Sequence, residues 1–511
     1  MNKIIAAVVV VLGMGGLLVL KNITVEQSEQ HAISTSDANA MTENVRIGVD
    51  SWAGYYLLCS KHQRSSLRNK GIRSTCEDDN ADLQSRFVKL RTGELDFAVT
   101  SVDAYLALGQ DTQFPGTIIA VIDESKGGDA VVSWDDSATS IDDLKGNPEL
   151  RVALTKDSPS EHLVRSLAVH FDVDTFKQRG NWLVNTDGAE QAYQQLINKQ
   201  VDAAVLWEPY VTKALQTKGV NKIIGTEDTE RLIVDVLLVN RKFANEKPEV
   251  VEAVLGDYFE TLKFYKQNPQ SLVKELVKHT GLKSGAVQSM LKGVKWATLT
   301  DNAYDWFSTV NQASSTEYLI DVIDSSLNIL KDTGVLTANP IPDENPYLIT
   351  QSTFIEKLYE SKVGTLPVAH ATDSSNSFPK LSEDEWENLK SVGTLKVRKI
   401  KFSRSSGQLS LEAKRMLDKA AQDLAHYPNF RILIKGHTGL NGTAAANKAL
   451  SQDRADAVSR YLSITHGIAE NRMFAQGVGS DEPLVRMPNE SRRSFKYRLP
   501  RVELILKSGA I

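Results

Sequence analysis

The sequence predicts an α/β protein of several domains that follows a single N-terminal membrane helix. A chain of 511 residues is too long for one hydrophobic core, so two or three domains are expected. Short apolar strands alternate with amphipathic helices between residues 44 and 240, and a second α/β unit begins near residue 383. The composition, with 24% charged and 41% hydrophobic residues, is typical of folded globular domains.

The N-terminus carries an apolar stretch, Ile4–Leu20, that is flanked by Lys3 and Lys21. Its seventeen residues exceed the apolar core of a usual secretory signal and reach the length of a membrane span, about 17–25 residues. We therefore predict an uncleaved signal anchor over residues 1–21. The bulk of the chain would then lie in the periplasm, held by a single-pass helix in the inner membrane.

The segment behind this helix, residues 22–43, is polar and is predicted to be a flexible linker. The triplet at 38–40, Ala-Asn-Ala, is typical of a cleavage site, so a removed signal is the alternative to an anchor. An exported compartment permits a disulfide between Cys59 and Cys76. Two buried free thiols are the alternative.

Composition also limits the function. The formal net charge of -5 gives no support for nucleic-acid binding. The two cysteines and nine scattered histidines do not have metal-ligand spacing, and the sequence contains no phosphate loop and no nucleophile–His–acid pattern. We therefore predict a protein that is not an enzyme and that holds neither a metal nor a cofactor.

Residues 44–363 are predicted to form a two-lobed α/β domain with a helical extension after residue 240. The predicted strands are 45–49, 97–99, 118–121, 151–154 and 203–206. The predicted helices are 161–171, 190–198, 248–265, 270–280, 284–292 and 315–331.

Four motifs occur in this domain in a fixed order. They are Ser51–Tyr56, Gly93–Ser101, Asp143–Gly146 and Val201–Tyr210. Together they resemble the nitrate/sulfonate/taurine branch of periplasmic solute-binding proteins, which feed ABC transporters. The resemblance covers about residues 44–335 and implies two lobes that close on a small ligand.

Candidate ligand-binding residues directly follow predicted strands, where open α/β sheets place their ligands. They are Trp52, Tyr55, Thr100, Ser101, Ser158, Ser160, Trp207 and Glu208. The helix start near Ser158 could hold a small anion, and Glu208 would suit an amine, so the ligand is predicted to be an oxyanion or a zwitterion. The alternatives are helix capping by the serines, core packing of Trp52 and a structural salt bridge of Glu208.

A second linker is predicted at residues 364–382, followed by a compact α+β domain at residues 383–511. Its predicted strands are 395–402, 430–434 and 501–506, and its predicted helices are 411–424 and 443–462. Gly436–Gly439, Asn447, Leu450–Ala455 and Arg501–Glu503 together resemble the OmpA-like peptidoglycan-binding domain.

In that family an Asp after the Gly-His-Thr holds the ammonium of the wall peptide's diaminopimelate, and an Arg fifteen residues later holds its carboxylate. Here Arg454 is present, but Gly439 stands at the position of the Asp. The resemblance implies that Thr438, Asn447, Arg454 and Arg501 contact peptidoglycan. Loss of the acid weakens that binding by about 1.5–3 kcal/mol.

The leading hypothesis is a membrane-anchored periplasmic protein that captures a small ligand for transport and contacts peptidoglycan. The alternative is a stator-like assembly subunit whose binding-protein domain contacts another membrane protein. An enzyme related to solute-binding folds, such as a pyrimidine-precursor synthase, is the third hypothesis.

Overall fold

The computed structural model describes residues 42–145, 147, 149–310, 317–362, 378–396, 400, 402, 407–488 and 490–508. The predicted anchor and most of both predicted linkers lie outside these residues. Within the described ranges, no helix has the length and apolar character needed to cross a membrane.

The strands of the two-lobed domain are three to ten residues long. They are β1 (Glu43–Val49), β2 (Ile72–Asp78), β3 (Phe97–Ser101), β4 (Gly116–Ser125), β5 (Asp129–Trp134), β6 (Val152–Leu154), β7 (Leu183–Asn185), β8 (Ala203–Trp207), β9 (Val220–Gly225), β10 (Val234–Asn240) and β11 (Val294–Trp296). They form two sheets, in the orders β11-β4-β10-β3-β1-β2 and β7-β6-β8-β5-β9.

The first sheet belongs to the first lobe. Strand β1 pairs in parallel with β2 and β3, and β10 runs antiparallel between β3 and β4. Every residue of β3, β4 and β10 is buried, as expected for a sheet that helices cover on both faces. In the second lobe β6 is parallel to β7 and β8, and β5 runs antiparallel between β8 and β9.

Helices pack on both sheets and form the extension after residue 240. They are Lys61–Asn69, Leu83–Thr92, Val102–Gly109, Pro159–His170, Ala189–Ile197, Tyr210–Leu215, Arg241–Glu246, Pro248–Gln267, Pro269–Thr280, Ser284–Lys292, Leu299–Asp301, Tyr318–Asp332 and Thr353–Lys362. The predicted helices are confirmed to within three residues, because their apolar side chains recur at helical spacing and several begin with proline.

The chain crosses between the lobes twice. One crossing joins β4 to β5, and the other joins β9 to β10. Ser125 Oγ lies 2.8 Å from Thr226 Oγ1, and the Ser125 N–H donates to the Ile233 carbonyl at 3.1 Å. The two crossing segments therefore touch, and relative motion of the lobes must bend them together.

Cys59 and Cys76 form a disulfide within the first lobe, with their Cα atoms 6.0 Å apart. Cys59 ends the 3-10 helix Ala53–Cys59, and Cys76 lies in β2. The bond ties the loop after β1 to the edge of the sheet.

The C-terminal domain contains β12 (Lys390–Thr394), β13 (Arg431–His437), β14 (Met473–Gly479) and β15 (Arg501–Ser508), in the order β12-β15-β13-β14. Its helices are Glu383–Glu387, Leu411–Ala425, Ala444–His466 and Arg492–Arg498. Strand β13 is parallel to β14, and β15 runs antiparallel to both β12 and β13.

One predicted strand of this domain, at 395–402, lies partly outside the described residues, which leave out 397–399 and 401. Among the described residues, β12 ends at Thr394, and Phe402 forms an isolated bridge with Leu409. Strand β12 passes against the second lobe at Gly393, where a Cβ would lie 3.0 Å from the Cβ of Ile141. Such a contact leaves no periodic signal in the sequence.

The C-terminal domain packs against the second lobe. The Ile141 N–H donates to the Val392 carbonyl at 2.9 Å, and the Tyr427 hydroxyl lies 2.7 Å from Nδ1 of the buried His170. Tyr427 and Phe171 make an edge contact with ring centroids 5.1 Å apart. The two domains share one continuous apolar core at this interface.

The same domain also holds the second crossing segment. The Glu230 N–H donates to the His426 carbonyl at 2.8 Å, and the Asn429 amide donates to the Glu227 carbonyl at 2.7 Å. His426 Nε2 lies 3.0 Å from the hydroxyl of Ser325 on the helix Tyr318–Asp332. The C-terminal domain is thus fixed to the backbone that must bend when the lobes move.

Candidate functional site

A cleft lies between the lobes beside both crossing segments, and the space within it and at its solvent-open mouth is about 460 Å³. The first lobe supplies the end of β1, the 3-10 helix behind it and the start of β10. The second lobe supplies the start of β5, the end of β8 and the start of the helix Pro159–His170. Its walls carry three carboxylates and three aromatic rings: Asp50, Asp129, Asp235, Trp52, Tyr55 and Trp207.

A fully buried guanidinium, Arg86, supports one of these carboxylates. Its Nη2 lies 3.0 Å from Asp50 and 2.5 Å from Asp79, and its Nη1 donates to the Val99 carbonyl at 2.7 Å. Arg86 is placed there by the helix Leu83–Thr92, which crosses behind the cleft. One positive charge is therefore shared between two carboxylates.

Two further carboxylates receive hydrogen bonds from aromatic side chains. The Tyr55 hydroxyl donates to Asp235 at 2.5 Å, and the Trp52 indole N–H donates to Asp123 at 3.2 Å. The second oxygen of Asp123 is buried without a hydrogen-bond partner among the described residues. Burial is the main reason why the pKa of Asp235 is raised well above its ordinary value, and the neighbouring Asp123 raises it further.

Asp129 completes the acidic group from the second lobe. Its carboxylate accepts a hydrogen bond from Ser125 Oγ at 2.6 Å. Burial raises the pKa of Asp129 to about 7, and the nearby carboxylates of Asp103, Glu208 and Asp50 act in the same direction. Negative charge in this cleft is therefore costly while no cation is bound.

The position of Trp52 is fixed by close packing. A Cβ on Gly128, in the first crossing segment, would collide with the Trp52 ring, and a Cβ on Gly54 would collide with the indole nitrogen. The backbone N–H of Trp52 donates to the carboxylate of Asp50 at 2.9 Å, and this hydrogen bond holds the loop after β1. The ring is thus held against the cleft by both lobes.

Five of the predicted ligand-binding residues line the cleft: Trp52, Tyr55, Ser101, Ser158 and Trp207. The hydroxyl of Ser101 is buried and has no hydrogen-bond partner among the described residues. The Ser158 hydroxyl donates to the Thr155 carbonyl at 2.7 Å and does not cap the helix that follows.

The other three predicted residues do not line the cleft. Thr100 donates to the carbonyl of Ser101 at 3.2 Å, and Ser160 is buried in the helix behind the wall. Glu208 accepts hydrogen bonds from the Thr212 hydroxyl at 2.7 Å and the Thr212 N–H at 3.1 Å. Glu208 thus bonds to the first turn of the helix Tyr210–Leu215.

Sequence reasoning missed Asp50, Asp129 and Asp235. Asp50 directly follows β1, so the carboxyl-end rule could have found it. Asp129 and Asp235 stand at or near the start of β5 and β10, which run antiparallel to their neighbours. The start of an antiparallel strand lies at the same edge of the sheet as the carboxyl ends of its neighbours. In a strand that enters from the other lobe, candidate ligand-binding residues are therefore expected at its start.

The predicted peptidoglycan pocket lies where β13 ends. The Thr438 N–H donates to the Gly479 carbonyl at 2.8 Å, and Asn447 lies 3.5 Å from the hydroxyl of Ser480. The guanidinium of Arg454 is half-buried, with its carbon 5.1 Å from the centroid of the Phe402 ring. Burial lowers the pKa of Arg454, and the group keeps its positive charge.

Arg501, the fourth predicted contact, is held by the protein itself. Its Nε donates to Glu503 at 2.6 Å, and its other nitrogens donate to the carbonyls of Leu499 and Glu482 at 3.2 and 3.3 Å. Although burial would raise the pKa of Glu503, hydrogen bonds from His437 and Arg501 lower it to about 2. Arg501 therefore braces the end of β15.

Gly439 occupies an open position. A Cβ built there meets only the ring of Pro500, at 4.0 Å. The pocket thus has room for the carboxylate that the OmpA family carries at this point.

Comparison with known proteins finds a family match within each of the two domains. The OmpA family is matched over residues 401–496, and the NMT1/THI5-like family is matched over residues 79–272. The peptidoglycan-associated lipoprotein of Buchnera aphidicola subsp. Baizongia pistaciae (strain Bp) is 30% identical over 146 residues, which are 28% of this chain and 81% of the lipoprotein. That of Rhizobium meliloti (strain 1021) is 38% identical over 86 residues, which are 17% of this chain and 48% of the lipoprotein.

Among solved structures, the alkanesulfonate-binding protein SsuA from Xanthomonas axonopodis pv. citri is 15% identical, with a TM-score of 0.47. The match covers 61% of this chain and all of SsuA. Through the relationship to the Buchnera lipoprotein, the chain belongs to the OmpA family in its C-terminal part, and residues 79–272 of its middle part match the NMT1/THI5-like family.

Proposed function

We propose that this protein captures a small molecule between its two lobes and holds it in the cell envelope, where its C-terminal domain contacts peptidoglycan. The observation that carries the proposal is the cleft, to which both lobes contribute polar groups and aromatic rings. A ligand in that position bridges the lobes and stabilises their closed arrangement. Such a domain would deliver its ligand to an ABC transporter.

Contact with the wall is supported by the family of the C-terminal domain and by its pocket. Arg454 retains the charge that would receive a carboxylate of the wall peptide. The relatives are peptidoglycan-associated lipoproteins by name, and we extend that association to this chain. An N-terminal anchor in the inner membrane would keep the pocket near the wall, so weak binding would suffice.

The experiment uses the full-length chain in detergent. Small molecules that bind the cleft should raise its unfolding temperature, and Trp207→Ala should abolish that rise. Retention on isolated sacculi should fall at least tenfold in Arg454→Ala, whereas Arg460→Ala, on the same helix, serves as the control. Failure of every ligand to stabilise the wild type, together with unchanged sacculus retention in Arg454→Ala, would contradict the proposal.

One observation favours a second function. The C-terminal domain is hydrogen-bonded to the crossing segment through His426 and Asn429, which would resist the motion of the lobes. A rigid two-domain unit of this kind suits an assembly subunit that binds another membrane protein. Co-purification of one membrane protein in constant ratio, with no ligand-dependent change in small-angle scattering, would favour this function.

A further inference from the structure

Carboxyl groups outnumber basic groups among the described residues around the cleft. Asp50, Asp129 and Asp235 line it, and the buried Asp123 lies directly behind Trp52. Among the described lining residues there is no lysine, arginine or histidine. The guanidinium of Arg86, which contacts the lining residue Asp50, is shared with a second carboxylate, Asp79, outside the cleft.

The remaining three carboxylates have only neutral donors. Asp123 receives the indole N–H of Trp52, Asp129 receives the hydroxyl of Ser125, and Asp235 receives the hydroxyl of Tyr55. Buried carboxylates without a cation are unfavourable, because water no longer solvates them and the protein supplies no opposite charge. A positively charged ligand would supply that charge.

An oxyanion finds few partners on the same walls. Proline at position 159 has no N–H at the start of its helix, and Ser158 already donates its hydroxyl to the Thr155 carbonyl. Ser101 offers a buried hydroxyl without a partner among the described residues, which is one donor. An anion would also lie beside the carboxyl groups of Asp129 and Asp235, which would repel it whenever they are ionised.

The aromatic walls favour a cation as well. Trp52 and Trp207 face the cleft from different lobes, and the Trp52 ring is fixed by Gly128 and Asp123. The faces of indole rings attract cations, and the attraction strengthens when the cation is desolvated. A closed cleft with two indoles and several carboxylates combines both sources of attraction.

We infer that the ligand is a small organic cation whose ammonium or amidinium N–H groups are received by Asp129 and Asp235. This inference rests on the proposed function and narrows its ligand to one chemical class. It replaces the oxyanion expected from the sequence and retains the amine end of the expected zwitterion.

The test compares two series of probes on the full-length chain by calorimetric titration and thermal unfolding. The cations are ethanolamine, putrescine and agmatine, with choline as a cation that lacks N–H donors. The oxyanions are ethanesulfonate, nitrate and phosphate. We expect binding in the cationic series, with choline at least tenfold weaker than ethanolamine because its quaternary ammonium has no N–H to donate to the carboxylates.

Isosteric variants separate the charge effect from folding. Asp129→Asn and Asp235→Asn should each weaken the best cation by about tenfold to a hundredfold, because each removes a charged hydrogen bond. Asp111→Asn, at an exposed site on the first lobe, should leave the affinity unchanged. Two independent carboxylate variants guard against one of them failing to fold.

The outcomes distinguish the ligand class from the function. If an oxyanion binds, and binds more tightly to Asp129→Asn, the inference of a cationic ligand is contradicted, whereas the proposed capture of a small molecule is supported. Equal binding of choline and ethanolamine would overturn the N–H contacts to the carboxylates. If no member of either series binds the wild type, both the cation and the proposed capture function are contradicted.

Discussion

The cleft and the wall pocket have opposite charge deficits. The cleft contains more carboxylates than cations, whereas the wall pocket keeps Arg454 and has Gly439 in place of its acid. The cleft is buried, so its missing positive charge favours a ligand that is a cation. The pocket is open around Gly439, so its missing charge lowers affinity without destabilising the fold.

The largest expected effect is on the buried side of this comparison. Arg86→Met leaves the mostly buried side chains of Asp50 and Asp79 without their shared cation, which should destabilise the first lobe by about 3–5 kcal/mol. Thermal and urea unfolding of the full chain measure this change. Arg91→Met, at an exposed position of the same helix, is the control. A loss below about 1 kcal/mol would show that these carboxylates do not need the guanidinium.

On the open side, Gly439→Asp should strengthen sacculus binding. The side chain has room, and one charged hydrogen bond to an ammonium contributes about 1.5–3 kcal/mol, or roughly tenfold to a hundredfold in affinity. Co-sedimentation of the full chain with sacculi measures the change. Leu440→Asp adds the same charge at the neighbouring exposed position and should have little effect. Equal increases in sacculus affinity in both variants would mean that the added charge acts without a specific contact at position 439.

The interface between the two regions can be probed at Tyr427. Its hydroxyl lies 2.7 Å from the ring of the buried His170, so Tyr427→Phe should cost about 1–2 kcal/mol. Hydrogen exchange should quicken on both sides of the interface. Tyr461→Phe, within the C-terminal domain alone, is the control. Faster exchange in the C-terminal domain alone would contradict tight docking.

The smallest expected effect is a pH dependence. Burial raises the pKa of Asp129 to about 7 in the folded state, above the value of about 4 in the unfolded chain. The folded protein therefore keeps this proton while the unfolded chain loses it, and stability falls as pH rises from about 4 to 7. Asp50, Asp103 and Glu208 face Asp129 and strengthen this trend.

Measuring Asp129→Asn beside the wild type cancels the contribution of other groups, such as the buried His170, whose pKa is lowered. The stability of the variant relative to the wild type should increase between pH 5 and pH 7.5, by about 1 kcal/mol or more. A constant difference across this range would show that Asp129 has an ordinary pKa.

Much of the architecture could be predicted from the sequence, because it depends on local patterns. The helices after residue 240 follow from apolar periodicity, as in Pro248–Gln267. The motifs around Trp52 and Trp207 contain residues that line the cleft. The positions of Asp129 and Asp235 depend on strands that enter from the opposite lobe, and a strand-by-strand pattern does not show that crossing.

Contacts between domains were also beyond the sequence. A linker is predicted at 364–382, yet the buried Tyr427 contacts the second lobe and the half-buried His426 contacts the crossing segment. Their burial has no periodic signal, because both lie in one short connection between a helix and β13. Similarly, the spacing of Arg501 matches the family, but only the structure shows that Glu503 already holds it.

The most direct test of the account identifies the molecule that the cleft retains. The full-length chain is purified without added ligand and denatured, and the released small molecules are analysed by mass spectrometry in positive-ion and negative-ion modes. The account predicts a stoichiometric organic cation with N–H groups that is absent from Asp235→Asn. A stoichiometric oxyanion that is retained equally by the wild type and Asp235→Asn would contradict it.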